Sequence, residues 1–145
     1  MIIVDTNVIM AFLLTRGVTN RIISAHRDVF LTPEHCYGEI WKHREVWNRN
    51  KLSDVELKGI LDGVRQLFVY PVAEEVYIER MDRAMELIED PDDAPIIALA
   101  LAVHNEGVWT YNTKHFLTEK VQSHITVLST SDVLKRYPVN DGKRA

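Results

Sequence analysis

Asp5, Glu39, Asp90, Asp92 and Asp93 are the residues whose types and spacing could do chemistry in this chain. Asp5 follows directly on the apolar run Ile2-Ile3-Val4. The other aspartates lie in Glu89-Asp90-Pro91-Asp92-Asp93-Ala94-Pro95, immediately before the most apolar stretch of the sequence. Capping a helix needs one carboxylate, yet four occur within the five residues 89–93. Like charges that close raise one another's pKa and cost stability unless something positive joins them. A helix amino terminus supplies part of that charge, and a divalent cation would supply more. Carboxylates without an accompanying cysteine–histidine set are hard ligands, suited to Mg²⁺ or Mn²⁺ rather than zinc. One such ion lowers the pKa of a bound water, and a pair neutralises phosphate charge in an in-line displacement. The expectation from residue types alone is a metal-dependent phosphoryl-transfer site.

Acids so far apart in sequence need a scaffold to meet. The β-branched run Ile2–Val4 reads as a strand buried on both faces, with Asp5 at its carboxyl end. In open parallel sheets ligands bind outside the carboxyl ends of the strands. The competing reading is that Asp5 only caps a helix starting near Asn7. Residues 7–14 are apolar enough for a short buried helix, and 18–26 form a second one. Val29–Leu31 reads as a strand. Thr32 is the expected N-cap, with Pro33 in the first turn, of a helix running through Ile40 and Trp41 to Val46–Trp47. Glu39 sits on that helix at the border of its apolar face.

Ser53 and Glu56 have capping-box spacing before a stripe of Leu57, Ile60, Leu61, Val64, Leu67 and Phe68. Val69–Val72 is a third strand or an extended link. Residues 74–89 read as one amphipathic helix with Val76, Tyr77, Met81, Ala84, Met85 and Ile88 inward. Asp92 or Asp93 is the expected N-cap of the next helix, with Pro95 in its first turn. Val108–Thr110 is a fourth strand delivering Tyr111-Asn112-Thr113-Lys114-His115-Phe116, 125–128 a fifth, and Ser129–Asp132 opens a last helix. Alternating strands and helices predict an α/β domain, three-layered around a parallel sheet of about five strands. It is expected to span residues 1–137 as one domain, with 138–145 a flexible C-terminal tail.

Composition fits a globular chain: 145 residues, 46% hydrophobic and 26% charged. One cysteine, Cys36, excludes an internal disulfide and a CxxC zinc site and reads as a small semi-buried apolar residue. The first strand begins without a basic leader, and no apolar run reaches the ~20 residues a membrane span needs. The expected location is cytoplasmic. Net charge is -4 with a pI near 5.8, so global charge does not advertise nucleic-acid binding. Locally, Trp41, Lys42, His43, Arg44, Trp47, Arg49 and Lys51 interleave aromatics and cations, which suits single-stranded nucleic acid. A solvated helix flank is the other reading of that patch.

Taken together, Val4-Asp5-Thr6-Asn7, Glu39 in the helix after the second strand, Asp90-Pro91-Asp92-Asp93-Ala94-Pro95 and Thr110-Tyr111-Asn112-Thr113-Lys114-His115-Phe116 resemble a PIN domain. The resemblance runs from residue 2 to about 128. It implies a Rossmann-like five-stranded parallel sheet and a Mg²⁺- or Mn²⁺-dependent ribonuclease. Many such proteins are toxins paired with an antitoxin protein, and homodimers are common.

By this resemblance Asp5 is the central metal ligand, Glu39 and Asp93 are further acids at the same metal, and Asp90 or Asp92 supports them. Thr6, Asn7 and Thr110 orient ligands. Lys42, Arg44 and Lys114 are candidates for contact with RNA. The family's fourth acid falls in residues 110–116, where this chain has Asn112 and His115 instead. A neutral amide or an imidazole binds a hard cation less well than a carboxylate. Asn112 is then the expected water-orienting or shared ligand and His115 a phosphate contact, with a non-catalytic RNA-binding or protein-interaction module as the alternative. Asn7, two residues after Asp5, argues against a haloacid-dehalogenase-type phosphatase, which needs an aspartate there. A receiver domain fits poorly too, since its acceptor aspartate would not lie on the first strand.

Overall fold

Ile2–Val4 forms β1, and all three side chains are fully buried. A three-residue strand survives without a polar face only in the middle of a sheet, and that is its position. In the computed structural model, which describes residues 1–140, β1 pairs in parallel with β2 (Phe30–Pro33) on one side and β4 (Val108–Trp109) on the other. Adding β3 (Val69–Val72) and β5 (Val127–Leu128) gives an all-parallel sheet of order β3-β2-β1-β4-β5 with helices packed around it. The expected three-layer α/β fold is the one observed. Chain order reverses between β1 and β4, and a crevice opens at such a reversal outside the strands' carboxyl ends. Gly107 leads into β4 at φ 147°, where a Cβ would lie 2.8 Å from Leu128 Cγ and 2.9 Å from the Thr126 carbonyl oxygen.

The helices are α1 (Thr6–Leu14), α2 (Val18–Ala25), α3 (Glu34–Lys42), α4 (Glu45–Arg49), α5 (Asp54–Leu67), α6 (Glu74–Tyr77), α7 (Met81–Leu87), α8 (Ala94–Ala102), α9 (Thr113–Phe116), α10 (Glu119–Gln122) and α11 (Thr130–Arg136). No single helix among the described residues is long and apolar enough to cross a membrane, and α1 and α2 meet at 99°. The capping box at Ser53 and Glu56 is present, and a second closes between Ser129 and Asp132.

Several local expectations need correction. Thr32 is not an N-cap: it stays in β2, where its hydroxyl donates to the Val4 carbonyl at 2.9 Å, and α3 starts one residue after Pro33 without a side-chain cap. The helix predicted through Trp47 stops at Lys42. The turn at His43–Arg44 redirects the chain and lets the Trp47 ring enter the core. Residues 74–89 are not one helix. A 3₁₀ turn at Ile78–Arg80 shifts the phase, so Tyr77, Ala84 and Ile88 point inward while Val76 and Met85 are half exposed. Only Leu57, Leu61 and Val64 of the α5 stripe are buried; Ile60 and Leu67 remain exposed. Cys36 is fully rather than partly buried, and burial pushes its thiol up to about 12, which leaves it inert. The expected tail beyond residue 140 lies outside the described residues.

Candidate metal centre

Asp5 ends β1 and begins α1, so its carboxylate does two jobs. Oδ1 accepts from the Thr6 backbone N–H at 2.7 Å, which makes Asp5 the N-cap of α1. Oδ2 accepts from the Thr110 hydroxyl at 2.7 Å and from Asn7 Nδ2 at 3.3 Å. Thr110 follows β4 directly, so the neighbouring strand's end clamps the acid. The two readings of Asp5 are therefore compatible, because one oxygen suffices to cap. Burial raises its pKa above the ordinary 3.8, against the pull of the bonds from Thr110, Thr6 and Asn7.

Asp93 reaches the same crevice from the amino end of α8. It stands at the N-cap position, but its side chain makes no capping bond. Instead Oδ2 lies in hydrogen-bond contact with His115 Nδ1 at 2.8 Å, a nitrogen that Asn112 Nδ2 also approaches at 3.0 Å. Burial again raises the pKa most; the His115 hydrogen bond opposes this, and the charge of Asp5 adds to it. His115 Nδ1 also lies 4.0 Å from Asp90.

Asn112 ties the two acids together. Its backbone N–H donates to Thr110 Oγ1 at 2.9 Å, its Oδ1 accepts from the His115 backbone N–H at 3.3 Å, and Nδ2 reaches Asp93 Oδ2 at 3.5 Å. The amide therefore caps α9 and holds its neighbours in place. Asn7 adds a further tie, its Oδ1 accepting from the Tyr111 backbone N–H at 3.2 Å.

Glu39 comes from α3 on the opposite wall. A cavity of about 250 Å³ is lined by Asp5, Glu39, Asp92, Asp93 and Asn112, with Thr6, Asn7 and His43 at its sides and Met10, Ile40 and Trp47 completing it. Among the described residues, none hydrogen-bonds the Glu39 carboxylate. It lies 3.7 Å from His35 Nε2 through one oxygen and 3.7 Å from His43 Nε2 through the other. Asp92 is exposed, its backbone N–H donating to Asp90 Oδ1 at 2.9 Å.

A family model described as PIN domain matches residues 3–130. The chain belongs to that family. Neither the curated proteins nor the solved structures contain a match. PIN domains are in general metal-dependent nucleases, and this chain has the nuclease-type fold with an acidic cluster that could bind metal.

Two observations test whether these PIN-domain residues suit a cation. Among the described residues, no Lys or Arg pairs with Asp5, Glu39, Asp90, Asp92 or Asp93; only histidines do. Among the described residues two buried side-chain nitrogens have no hydrogen-bond partner, His35 Nε2, 3.7 Å from Glu39, and Trp47 Nε1, on a residue lining the cavity. A crowded, uncompensated set of oxygen donors beside an orphaned imidazole nitrogen suits a divalent ion. Two groups bring three ligand atoms within 4.8 Å of one another: His35, Glu39 and Asp92; and Asp90, Asp93 and His115. Asp5 is in neither, so it faces the cavity without belonging to a closed triad with Glu39 and Asp93.

The candidate RNA contacts lie elsewhere. Lys42 and Lys114 are exposed and do not line the cavity. Arg44 stacks on the Trp41 ring at 5.0 Å and pairs with Asp54 at 3.6 Å. His43 and Trp47 line the cavity but were legible only as part of the basic-aromatic patch. His35, Glu39 and His43 recur every four residues, a spacing that puts them on one helix face and could have marked that wall.

Proposed function

We propose that this chain is a metal-dependent endoribonuclease that hydrolyses RNA phosphodiester bonds. One observation carries the reading: carboxylates from the end of β1, from α3 and from the turn before α8 surround one cavity at the sheet's reversal point, with no Lys or Arg among the described residues paired to them. When bound, Mg²⁺ or Mn²⁺ supplies an activated water and neutralises charge on the phosphate.

The chain's own residues prepare for that. Asp5 and Asp93 offer ligand oxygens, and burial makes the charged forms strong attractors for a cation. Thr6, Asn7 and Thr110 fix the rotamer of Asp5, and His115 fixes that of Asp93. Asn112 acts as a positioning residue for both. Glu39 and Asp92 complete the acidic wall, with Asp90 in support. Lys42, Arg44 and Lys114, outside the cavity, are placed for flanking phosphates, whose contacts position without reading sequence.

Incubating the protein with single-stranded RNA in Mn²⁺, Mg²⁺ or EDTA tests this. Cleavage with either metal, lost in EDTA and in Asp93→Asn, is expected. RNA that is bound but intact under every metal condition would establish the non-catalytic module, which the Asn112 and His115 substitutions favour.

Partners and setting belong to the same proposal. Exposed Val55, Ile60 and Leu67 on α5 support a homodimer, and a lone 16.7 kDa species in gel filtration would count against it. Action as a toxin in the cytoplasm predicts a small antitoxin reading frame beside the gene.

A further inference from the structure

We propose that a second, larger cavity, bordered by α3 and α5, is a base-binding subsite that holds an unpaired guanine of the RNA next to the phosphate to be cut. The position of that phosphate rests on the nuclease reading above; the base rests on observations of its own. The cavity holds about 880 Å³ and is closed by α6 and the turn before α8. Ligand sites are typically about 300–1,000 Å³. It adjoins the acid cavity: His35 and Pro91 line the one, Glu39 and Asp92 the other. One ligand atom each of His35, Glu39 and Asp92 lies within 4.8 Å of the others, so the two spaces meet along that rim. A nucleotide whose neighbour's phosphate sits among the acids reaches the larger cavity directly.

The lining states what the space takes. Tyr37, Trp41, Tyr77 and Met81 give it flat apolar surface. The Arg44 guanidinium lies 5.0 Å from the Trp41 ring centre and that of Arg65 4.9 Å from Tyr37. Unpaired RNA bases are bound by stacking on such rings and guanidinium planes. Gly38, inside α3, keeps the space open. A glycine within a helix is destabilising relative to alanine. Yet a Cβ there would meet nothing within 4 Å, so packing does not require the glycine. Charge then selects the base. Asp62, Glu74 and Glu75 line the cavity at exposed positions, and no Lys or Arg among the described residues pairs with them, whereas Glu34 is taken by Arg65. Unpaired carboxylates repel a phosphate and can only accept hydrogen bonds. Among the RNA bases guanine alone presents neighbouring Watson–Crick donors, N1–H and N2–H, to match both oxygens of one carboxylate. Its O6 and N7 accept from a lysine or arginine, and Lys58 lines the same cavity.

Guanosine titrated into the protein in EDTA, read by tryptophan emission, tests this without any cleavage. Trp47 and Trp109 are buried, so the change is expected from Trp41. Quenching by guanosine is expected, with inosine, which lacks the N2 amino group, and adenosine each binding about tenfold more weakly or worse. Gly38→Leu, which puts a side chain into the open space, should weaken guanosine by about tenfold or more while the circular-dichroism spectrum stays that of the parent. At least one of Asp62→Asn, Glu74→Gln and Glu75→Gln should erase the preference for guanosine over inosine. Emission indifferent to guanosine, or equal affinity for the three nucleosides, overturns the proposal. RNA cut in Mn²⁺ without guanosine binding overturns it too and leaves the nuclease reading standing. Guanosine bound by the parent and lost in Gly38→Leu, with RNA intact in every metal, keeps the guanine site and sinks the nuclease reading.

Discussion

The two walls of the acid cavity are built differently. On the sheet side the two Asp5 oxygens are held by donors from three residues, and Asp93 is pinned by His115. On the α3 side Glu39 has, among the described residues, two imidazoles at 3.7 Å and no hydrogen bond. The sheet wall is set by the fold: β1 and β4 cannot pair in this register without bringing Asp5 beside Thr110. The α3 wall depends on side-chain choices that nothing in the backbone fixes. Preorganised ligands bind a cation without spending conformational entropy, whereas loose ones must be ordered by it.

The largest effect should come from the rigid wall. Asp5→Asn is expected to lower Mn²⁺-dependent RNA cleavage by roughly a thousandfold, about 4 kcal/mol of transition-state stabilisation. In the metal-free protein the same change should raise Tm, because it removes a charge that burial disfavours. Thr110→Val keeps the shape but takes one donor from Asp5 and leaves the Asn112 N–H unpaired. A loss of about ten- to a hundredfold in kcat/KM, with the circular-dichroism spectrum unchanged, is the expected outcome.

On the other wall Glu39→Gln should cost about tenfold, less than Asp5→Asn. An equal loss would mean that both walls grip one ion jointly, and the contrast drawn here would fail.

A pH series separates the walls by stability. Asp5 and Asp93 have raised pKa values, so between 3.8 and those values the folded state binds more protons than the unfolded. Their contribution therefore grows as pH falls through the raised values and is lost as pH rises. Metal-free protein should gain Tm on acidification through those raised values. Mn²⁺-loaded protein should lose Tm over the same range, since protons compete with the ion. Glu106 and Asp132, whose pKa values are lowered mainly by bonds from Tyr137 and Ser129, work in the opposite sense at lower pH. The smallest effects belong to Lys42→Ala and Lys114→Ala. Each should raise KM about two- to threefold, leave kcat alone and flatten the salt dependence.

The same contrast decides what could be read from the sequence. β1 and Asp5 were legible because three adjacent β-branched or aliphatic residues ending in a carboxylate have few other uses. The all-parallel order of the sheet followed from alternation alone. The role of Asn112 was less legible: its backbone N–H reaches Thr110 and its side chain caps α9, contacts that require knowing the turn. Thr32 misled for a related reason, since Ser/Thr before Pro suits a cap equally well until the sheet claims its hydroxyl. The 74–89 segment kept its apolar period through a 3₁₀ turn that periodicity does not register. His35 went unassigned because it is unremarkable until Glu39 and Asp92 are placed beside it.

The most direct test is anomalous scattering from crystals of this protein soaked in Mn²⁺. An ion bonded to an Asp5 oxygen and an Asp93 oxygen inside the cavity is the expected result. Mn²⁺ found only on outlying surface carboxylates, with Asp5 keeping nothing but its hydrogen bonds, would contradict the account.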